Sequence, residues 1–243
     1  MQLAELGFTH VDMVAVSDRP LSHLEALADS GLVVSCVSLG RALPEGYTLD
    51  GEDSDKRRTA VEMVKQHIND AARLGATCAY IVPGKDDSPN GLLRLADSCA
   101  ILSVYAGSRM IPLCIEHFPG SSLPSANKTL SWLNKHRLDS THLLMDVGHC
   151  LISEEDPAKV AHDAGTRLGY VHFNDNDSVD DLHWPLLSGR LTQDMLDALV
   201  AELLLSRYPA ALSLELNPNN SDPVADLAKG KRLLEQALRQ RVD

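Results

Sequence analysis

The stretch that decides the fold is Leu143-Leu-Met-Asp-Val-Gly-His-Cys150, a short apolar run that leads directly into a carboxylate, a glycine and an imidazole. The apolar residues do not alternate with polar ones, which is typical of a strand buried on both faces in a parallel sheet. A carboxylate at the end of such a strand is costly to bury unless it binds a cation or another partner. Asp146 therefore indicates a site as well as a strand.

Three other strand-like runs also end in side chains that can bind a metal ion. They are residues 112–117, which carry Glu116, residues 169–175, which carry His172, and residues 211–217, which carry Glu215. Along the chain, these three residues and Asp146 are separated by 30, 26 and 43 residues. Each interval fits one strand–helix unit, the last one with an enlarged loop.

Strand and helix patterns alternate along the whole chain. We predict strands at 11–16, 32–39, 78–82, 112–116, 142–146, 170–173 and 211–215, with helices at 21–30, from the cap Ser54 to 74, at 90–106, 125–136, from 157, at 192–207 and from 223 to about 239. This alternation predicts a parallel sheet built from βαβ units. No Gly-x-Gly-x-x-Gly follows the first strand, which makes a nucleotide-binding sheet less favoured than a TIM-type (β/α) barrel.

Length and composition agree with one barrel domain over residues 1–243. Aromatic residues make up only 4% of the chain, so the core must be mainly aliphatic. The net charge of −12 argues against a nucleic-acid partner, because phosphate binding needs a basic face. The five cysteines are odd in number and form no CxxC pair, and no signal segment or membrane-length apolar run is present, so a cytoplasmic protein without a membrane partner is expected.

In a βα-barrel the carboxyl ends of the strands converge on one pocket. Glu116, Asp146, His172 and Glu215 would then form a set of three carboxylates and one imidazole, which suits Mn²⁺, Mg²⁺, Co²⁺ or Zn²⁺. Taken singly, each residue has a structural explanation as a helix-cap partner, an ion-pair member or a buried core histidine. The joint pattern at four strand ends favours the metal site.

The order of these motifs resembles that of the xylose isomerase-like barrel superfamily, which includes sugar-phosphate isomerases and epimerases, ketose 3-epimerases, inosose dehydratases and hydroxypyruvate isomerases. The motifs are Ile115-Glu116, Met145-Asp-Val-Gly-His149, Tyr170-Val-His-Phe-Asn-Asp175, the loop from His183 to Gly189, and Ser213-Leu-Glu215. The resemblance implies that Glu116, Asp146, His172 and Glu215 hold one divalent metal. It also implies that His149 faces the substrate and that His183 contacts the substrate or supports the site.

The implied activity is isomerisation or epimerisation of a small ketose, inosose or related hydroxy-carbonyl compound through an enediolate, with Glu116 and Glu215 as the proton-transferring groups. Three alternatives stay open: a dehydratase of the same superfamily, a phosphodiesterase like the family's apurinic endonucleases, and a non-catalytic metabolite-binding barrel. The run that ends in Pro83-Gly84 contains no histidine, which disfavours a three-zinc site. The strand-end loops hold no basic cluster, which disfavours a phosphorylated substrate, with Lys85, Arg41 and Arg190 as the remaining candidates for an anion contact.

The beginning of the chain predicts an incomplete barrel. A barrel of this type has eight strands, and the patterns indicate about seven. The family usually opens with a strand and a helix before the step seen here as Gly7-Phe-Thr-His-Val-Asp12. We therefore expect residues 1–6 to be the end of the first helix and the first strand to be missing, which leaves a gap between the strands at 11–16 and 211–215. The alternatives are that a short N-terminal segment or a partner chain fills this gap, or that the natural start lies further upstream. Unpaired edges on the first and last strands would favour aggregation or a homodimer.

Overall fold

The computed structural model describes residues 2–41 and 43–240. Seven parallel strands form one sheet in sequential order. The strands are β1 (His10–Val14), β2 (Val33–Ser38), β3 (Cys78–Ile81), β4 (Leu113–Glu116), β5 (Thr141–Asp146), β6 (Leu168–Phe173) and β7 (Leu212–Leu214). The sheet curls into a nearly closed TIM-type α/β barrel, as the sequence predicts.

Helices connect the strands and cover the outside of the sheet. They are α1 (Gln2–Glu5), α2 (Leu21–Ser30), α3 (Ser54–Arg73), α4 (Pro89–Ser108), α5 (Ala126–Lys135), α6 (Val147–Ile152), α7 (Pro157–Ala164), α8 (Gln193–Leu205) and α9 (Pro223–Arg239). Most of them follow the predicted ranges, but α6 is a short helix that was not predicted. Within the described part of the chain, no helix combines the length and apolar character needed to cross a membrane.

The helix ends follow from capping chemistry. At α3 the predicted cap Ser54 is wrong by one residue: the carboxylate of Asp53 accepts the backbone N–H groups of Asp55 and Lys56. Asp156 and Asp222 cap α7 and α9, which begin at Pro157 and Pro223 as the sequence predicts. Each carboxylate satisfies a backbone donor that the first helical turn leaves free.

The inner layer of the barrel explains where the functional side chains point. Apolar side chains from β2 to β6 fill the interior, among them Cys114, Leu144 and Tyr170. Side chains two residues apart in a strand lie on the same face of the sheet. Glu116, Asp146 and His172 each lie two residues after one of these three interior residues, so the same inward face carries the predicted metal ligands at the carboxyl ends of the strands.

The barrel remains open between its first and last strands, as the sequence predicts. Within residues 2–41 and 43–240, the hydrogen-bonded sheet ends at β1 on one side and at β7 on the other. A groove of about 740 Å³ runs between these edges. The carboxylate of Asp12 on β1 bridges the opening, because it accepts hydrogen bonds from Ser213 on β7 and from Tyr170 on β6. Self-association through the two edges stays a prediction, which analytical ultracentrifugation would test.

Candidate metal centre

The four predicted metal ligands come together at the carboxyl end of the barrel. Glu116, Asp146, His172 and Glu215 each present one ligand atom, and these atoms all lie within 4.8 Å of one another. The first three side chains are almost fully buried, and Glu215 is partly exposed. Three carboxylates that face one point at this depth repel one another unless protons, a protonated His172 or a bound cation compensate their charge.

His172 lies at the centre of the group. Its Nδ1 is 2.8 Å from Oε2 of Glu215, 3.4 Å from Oε1 of Glu116 and 4.0 Å from Oδ2 of Asp146. The imidazole therefore presents one nitrogen to all three carboxylates, and its other nitrogen points away from them.

Unsatisfied polar atoms show that the group fits a bound cation. Among the described residues, Oε2 of Glu116, Nδ1 of His172 and Oε2 of Glu215 are buried and have no hydrogen-bond partner. Such atoms are rare in folded proteins, because an unpaired buried donor or acceptor costs free energy. A divalent cation that accepts electron pairs from nitrogen and carboxylate oxygen would satisfy all three at once.

Asp12, which was not among the predicted site residues, supports His172 at the ring nitrogen that points away from the candidate ligands. Oδ2 of Asp12 lies 3.5 Å from Nε2 of His172. Oδ1 of the same carboxylate accepts hydrogen bonds from Ser35 Oγ at 2.7 Å, Cys36 N at 3.0 Å and Tyr170 Oη at 2.9 Å. The carboxylate is thus fixed on one side and faces the imidazole on the other, which favours the tautomer with the proton on Nε2 and the free electron pair on Nδ1.

Asp146 has a second task beside its candidate ligand role. It is the N-cap of α6, where Oδ1 accepts the backbone N–H of His149 at 2.8 Å. Oδ2 accepts a hydrogen bond from Asn174 Nδ2 at 2.6 Å. Residue 148 must be glycine, because a Cβ there would lie only 1.9 Å from Oδ1 of Asn174. The Asp-Val-Gly-His motif therefore orients Asp146 and turns the chain so that His149 faces the cavity.

His149 and His183, predicted to serve the substrate, face each other across Asp181. The two Nε2 atoms lie 3.3 Å and 3.0 Å from Oδ1 of Asp181. Each Nδ1 is within hydrogen-bond distance of a backbone carbonyl, at His117 for His149 and at Glu215 for His183. These three side chains form a second group that could hold a metal ion.

Neighbouring charges shift the pKa values of both histidines upward. Burial lowers the pKa of His149, but the charge of Asp146 and the hydrogen bond to Asp181 outweigh it and raise the pKa to about 9. Burial likewise opposes the rise at His183, where Asp181, Asp146 and Glu215 together raise the pKa to about 9. The acidic surroundings therefore favour the cationic form of both imidazoles when no metal ion is bound.

The two carboxylates proposed to transfer protons are in different environments. Burial raises the pKa of Glu116 despite its contact with His172. Burial acts on Glu215 as well, but the positive charge of His172, whose Nδ1 lies 2.8 Å from Oε2, outweighs it and lowers the pKa to about 2. The pKa of His172 itself lies well above its usual value, because its carboxylate neighbours outweigh burial.

The loop between β6 and α8 brings Asp181 and His183 to the centre. Asp175 and Trp184 exchange backbone hydrogen bonds, which fold this loop back on itself. The carboxylate of Asp175 also accepts the backbone N–H groups of residues 189, 190 and 191. The Asp-x-His spacing of residues 181–183 is a sequence signal that could have identified Asp181 in advance.

A cavity of about 290 Å³ opens onto this candidate metal centre. Glu116, Glu215, His149 and His183 line it together with Arg41. The four predicted ligands and both predicted substrate histidines thus lie at one site. Lys85 and Arg190, the other candidate anion contacts, do not line this cavity.

Solved structures that resemble this chain include several sugar epimerases. An L-ribulose 3-epimerase has a TM-score of 0.83 at 20% identity, over 98% of this chain and 87% of the other. A D-allulose 3-epimerase from Methylomonas sp. has a TM-score of 0.79 at 20% identity, with 97% and 89% covered. A 3-keto-D-glucoside 4-epimerase from E. coli has a TM-score of 0.77 at 17% identity, with 96% and 91% covered.

A comparison with curated protein sequences finds no match. At the identities given above, the structural likeness shows the fold. A family model described as xylose isomerase-like TIM barrel matches residues 2–237, which is nearly the whole chain. The seven-stranded barrel, the ligand group at its carboxyl end and this match agree, and the chain belongs to the xylose isomerase-like TIM barrel family.

Proposed function

We propose that the protein is a divalent-metal-dependent isomerase or epimerase of a small ketose, inosose or related hydroxy-carbonyl compound. The observation that carries the proposal is the convergence of Glu116, Asp146, His172 and Glu215, with unsatisfied buried atoms, beside a cavity of about 290 Å³. The epimerases among the structural relatives favour sugar chemistry. A bound divalent cation would polarise a substrate carbonyl and its adjacent hydroxyl group.

The protein's own groups would move the proton. Glu116 and Glu215 extend from β4 and from the end of β7, strands that are not neighbours, and both line the cavity. One carboxylate removes a proton from the carbon next to the carbonyl, and the other returns a proton to the resulting enediolate. Return to the opposite face of the same carbon gives an epimer, and return to the adjacent carbon gives an isomer. His149 and His183 bind the substrate hydroxyl groups.

Solvent exchange tests this proposal directly. Metal-loaded protein is incubated in D₂O with D-fructose, D-tagatose, D-ribulose, an inosose and hydroxypyruvate, and deuterium at the carbon next to the carbonyl is measured by NMR and mass spectrometry. We expect deuterium incorporation with at least one compound and loss of it in Glu215→Gln. Glu202→Gln, on the outer helix α8, is the matched control and should keep full exchange. Absence of exchange with every compound would favour a binding protein, and loss of water would indicate a dehydratase.

A second candidate function, a metal-dependent phosphodiesterase, is favoured by one observation. The group of His149, Asp181 and His183 lies beside the first ligand group, and adjacent metal ions commonly serve phosphoryl chemistry. The net charge of −12 opposes a nucleic-acid substrate. Salt-dependent DNA binding together with cleavage of a model phosphodiester would support this alternative, and their absence would leave the isomerase proposal as the better explanation.

A further inference from the structure

Arg41 lies where three cavities at the carboxyl end of the barrel meet. It lines the cavity of about 290 Å³ at the metal centre, a second cavity of about 390 Å³ beside the loop of residues 43–49, and the groove between β1 and β7. Phe118 also lines the first two cavities. A ligand that extends from the metal centre into the second cavity would therefore pass the guanidinium group.

Most of the hydrogen-bonding capacity of Arg41 is unused. Its Nε donates to Ser38 Oγ at 3.2 Å. A guanidinium carries five N–H donors; the Tyr80 hydroxyl group also interacts with this one, and the remaining donors lie on the two terminal nitrogens. Among the described residues, no carboxylate lies within ion-pair distance of Arg41, although other arginines such as Arg19 and Arg94 are paired with acids.

The negative charge around Arg41 indicates which kind of ligand this cation could bind. The metal centre and its surroundings carry five carboxylates, on Asp12, Glu116, Asp146, Asp181 and Glu215. The five carboxylates outnumber the two charges of a divalent cation, and His149 and His183 already face one of them, Asp181, so an anionic ligand needs a cation of its own. Among the described residues that line the cavity at the metal centre, Arg41 is the only arginine or lysine. A planar guanidinium is also the side chain best suited to bind a phosphate or carboxylate with two parallel hydrogen bonds.

We propose that Arg41 determines substrate specificity by binding an anionic group, a phosphate or a carboxylate, at the end of the substrate that lies away from the metal centre. The inference rests on the proposed isomerase or epimerase function and deepens it, because it narrows the substrate class to acidic sugars. It reverses the expectation drawn from the sequence, where the absence of a basic cluster disfavours a phosphorylated substrate. A single arginine at this position would bind the anionic group, for which the sequence was expected to need a cluster of basic residues.

Calorimetric titration of the Mn²⁺-loaded protein tests this inference without relying on turnover. The ligands are D-fructose, D-fructose 6-phosphate and D-fructuronate, which differ only at C6, and the corresponding D-tagatose series. We expect at least one acidic sugar to bind about ten- to a hundredfold more tightly than its neutral parent, as charge-assisted hydrogen bonds permit. The better ligand of the phosphate and carboxylate arms identifies the anion.

Variants assign the preference to the residue. Arg41→Gln should abolish the preference for the acidic sugar, and Arg41→Lys should restore part of it. Arg190→Gln removes the same charge from an exposed loop position outside the cavities and should leave the preference unchanged. The proposal is overturned if the acidic sugars bind no more tightly than the neutral ones, or if the preference persists in Arg41→Gln. Deuterium exchange with a neutral ketose in the same protein would then show that the isomerase function stands without it.

Discussion

Replacing Asp12 with asparagine should weaken metal binding by His172, although Asp12 is not itself one of the candidate ligands. Asparagine keeps one carbonyl oxygen, which can still accept the hydrogen bonds now made by Ser35, Cys36 and Tyr170. The amide nitrogen then occupies the place of Oδ2, which faces Nε2 of His172 at 3.5 Å. Two N–H donors would point at each other there, so the imidazole must move its proton to Nδ1 or rotate away.

A proton on Nδ1 removes the electron pair that His172 would offer to the metal. Loss of a hydrogen-bond partner behind a metal-binding histidine typically costs about 10- to 100-fold in metal affinity or activity. We therefore expect the Mn²⁺ dissociation constant of Asp12→Asn to rise by this factor, which corresponds to about 1.4–2.8 kcal/mol. Calorimetry or the electron paramagnetic resonance signal of free Mn²⁺ would measure it, with the pKa of His172 followed by NMR in the apo-protein.

Ser213→Ala is the matched control. It removes a hydrogen bond to the same Oδ2 atom but leaves the carboxylate beside His172. Metal affinity in this variant should fall by less than the minimum of about 10-fold expected for Asp12→Asn, because the carboxylate that orients His172 remains in place. Wild-type affinity in a folded Asp12→Asn protein, confirmed by its thermal unfolding, would refute the role assigned to Asp12.

Three further predictions follow from the same geometry. Metal binding at pH 7 should release about one proton, because the pKa of His172 is raised well above its usual value in the apo-protein and the metal must displace the proton that its carboxylate neighbours favour. Calorimetry in buffers of different ionisation enthalpy measures this release, and a buffer-independent heat of binding would contradict it. Asp181→Asn should lower the pKa values of His149 and His183 from about 9 toward 6.5, since it removes the carboxylate that favours both cations; unchanged NMR titrations would disprove the coupling. Gly148→Ala should destabilise the fold by about 1–3 kcal/mol, because its methyl group overlaps the buried amide side chain of Asn174. Gly107→Ala, where the added methyl group meets open space, is the control. An unfolding temperature of Gly148→Ala equal to that of the unmodified protein would exclude the clash.

The candidate ligands were readable from the sequence because each belongs to a strand. An apolar run of four to six residues marks a buried strand, and a carboxylate or imidazole at its end must compensate a desolvation cost. In a parallel barrel all such ends lie on one side. These two facts were enough to place Glu116, Asp146, His172 and Glu215 together. The open edge at β1, seen in the described part of the chain, followed from counting strands.

The tertiary structure decided what supports and surrounds those ligands. Asp12 lies on the first strand and Ser213 on the last, and only closure of the sheet brings them within hydrogen-bond distance. Asp181 and Arg41 lie on loops whose positions depend on long-range hydrogen bonds and packing, which leave no periodic trace in the sequence. The sequence by itself determined the class of fold and the ligand chemistry, because strand periodicity and burial costs are local. The orientation of His172 and the charge at the far end of the cavity are properties of contacts between distant segments, and only the folded chain defines them.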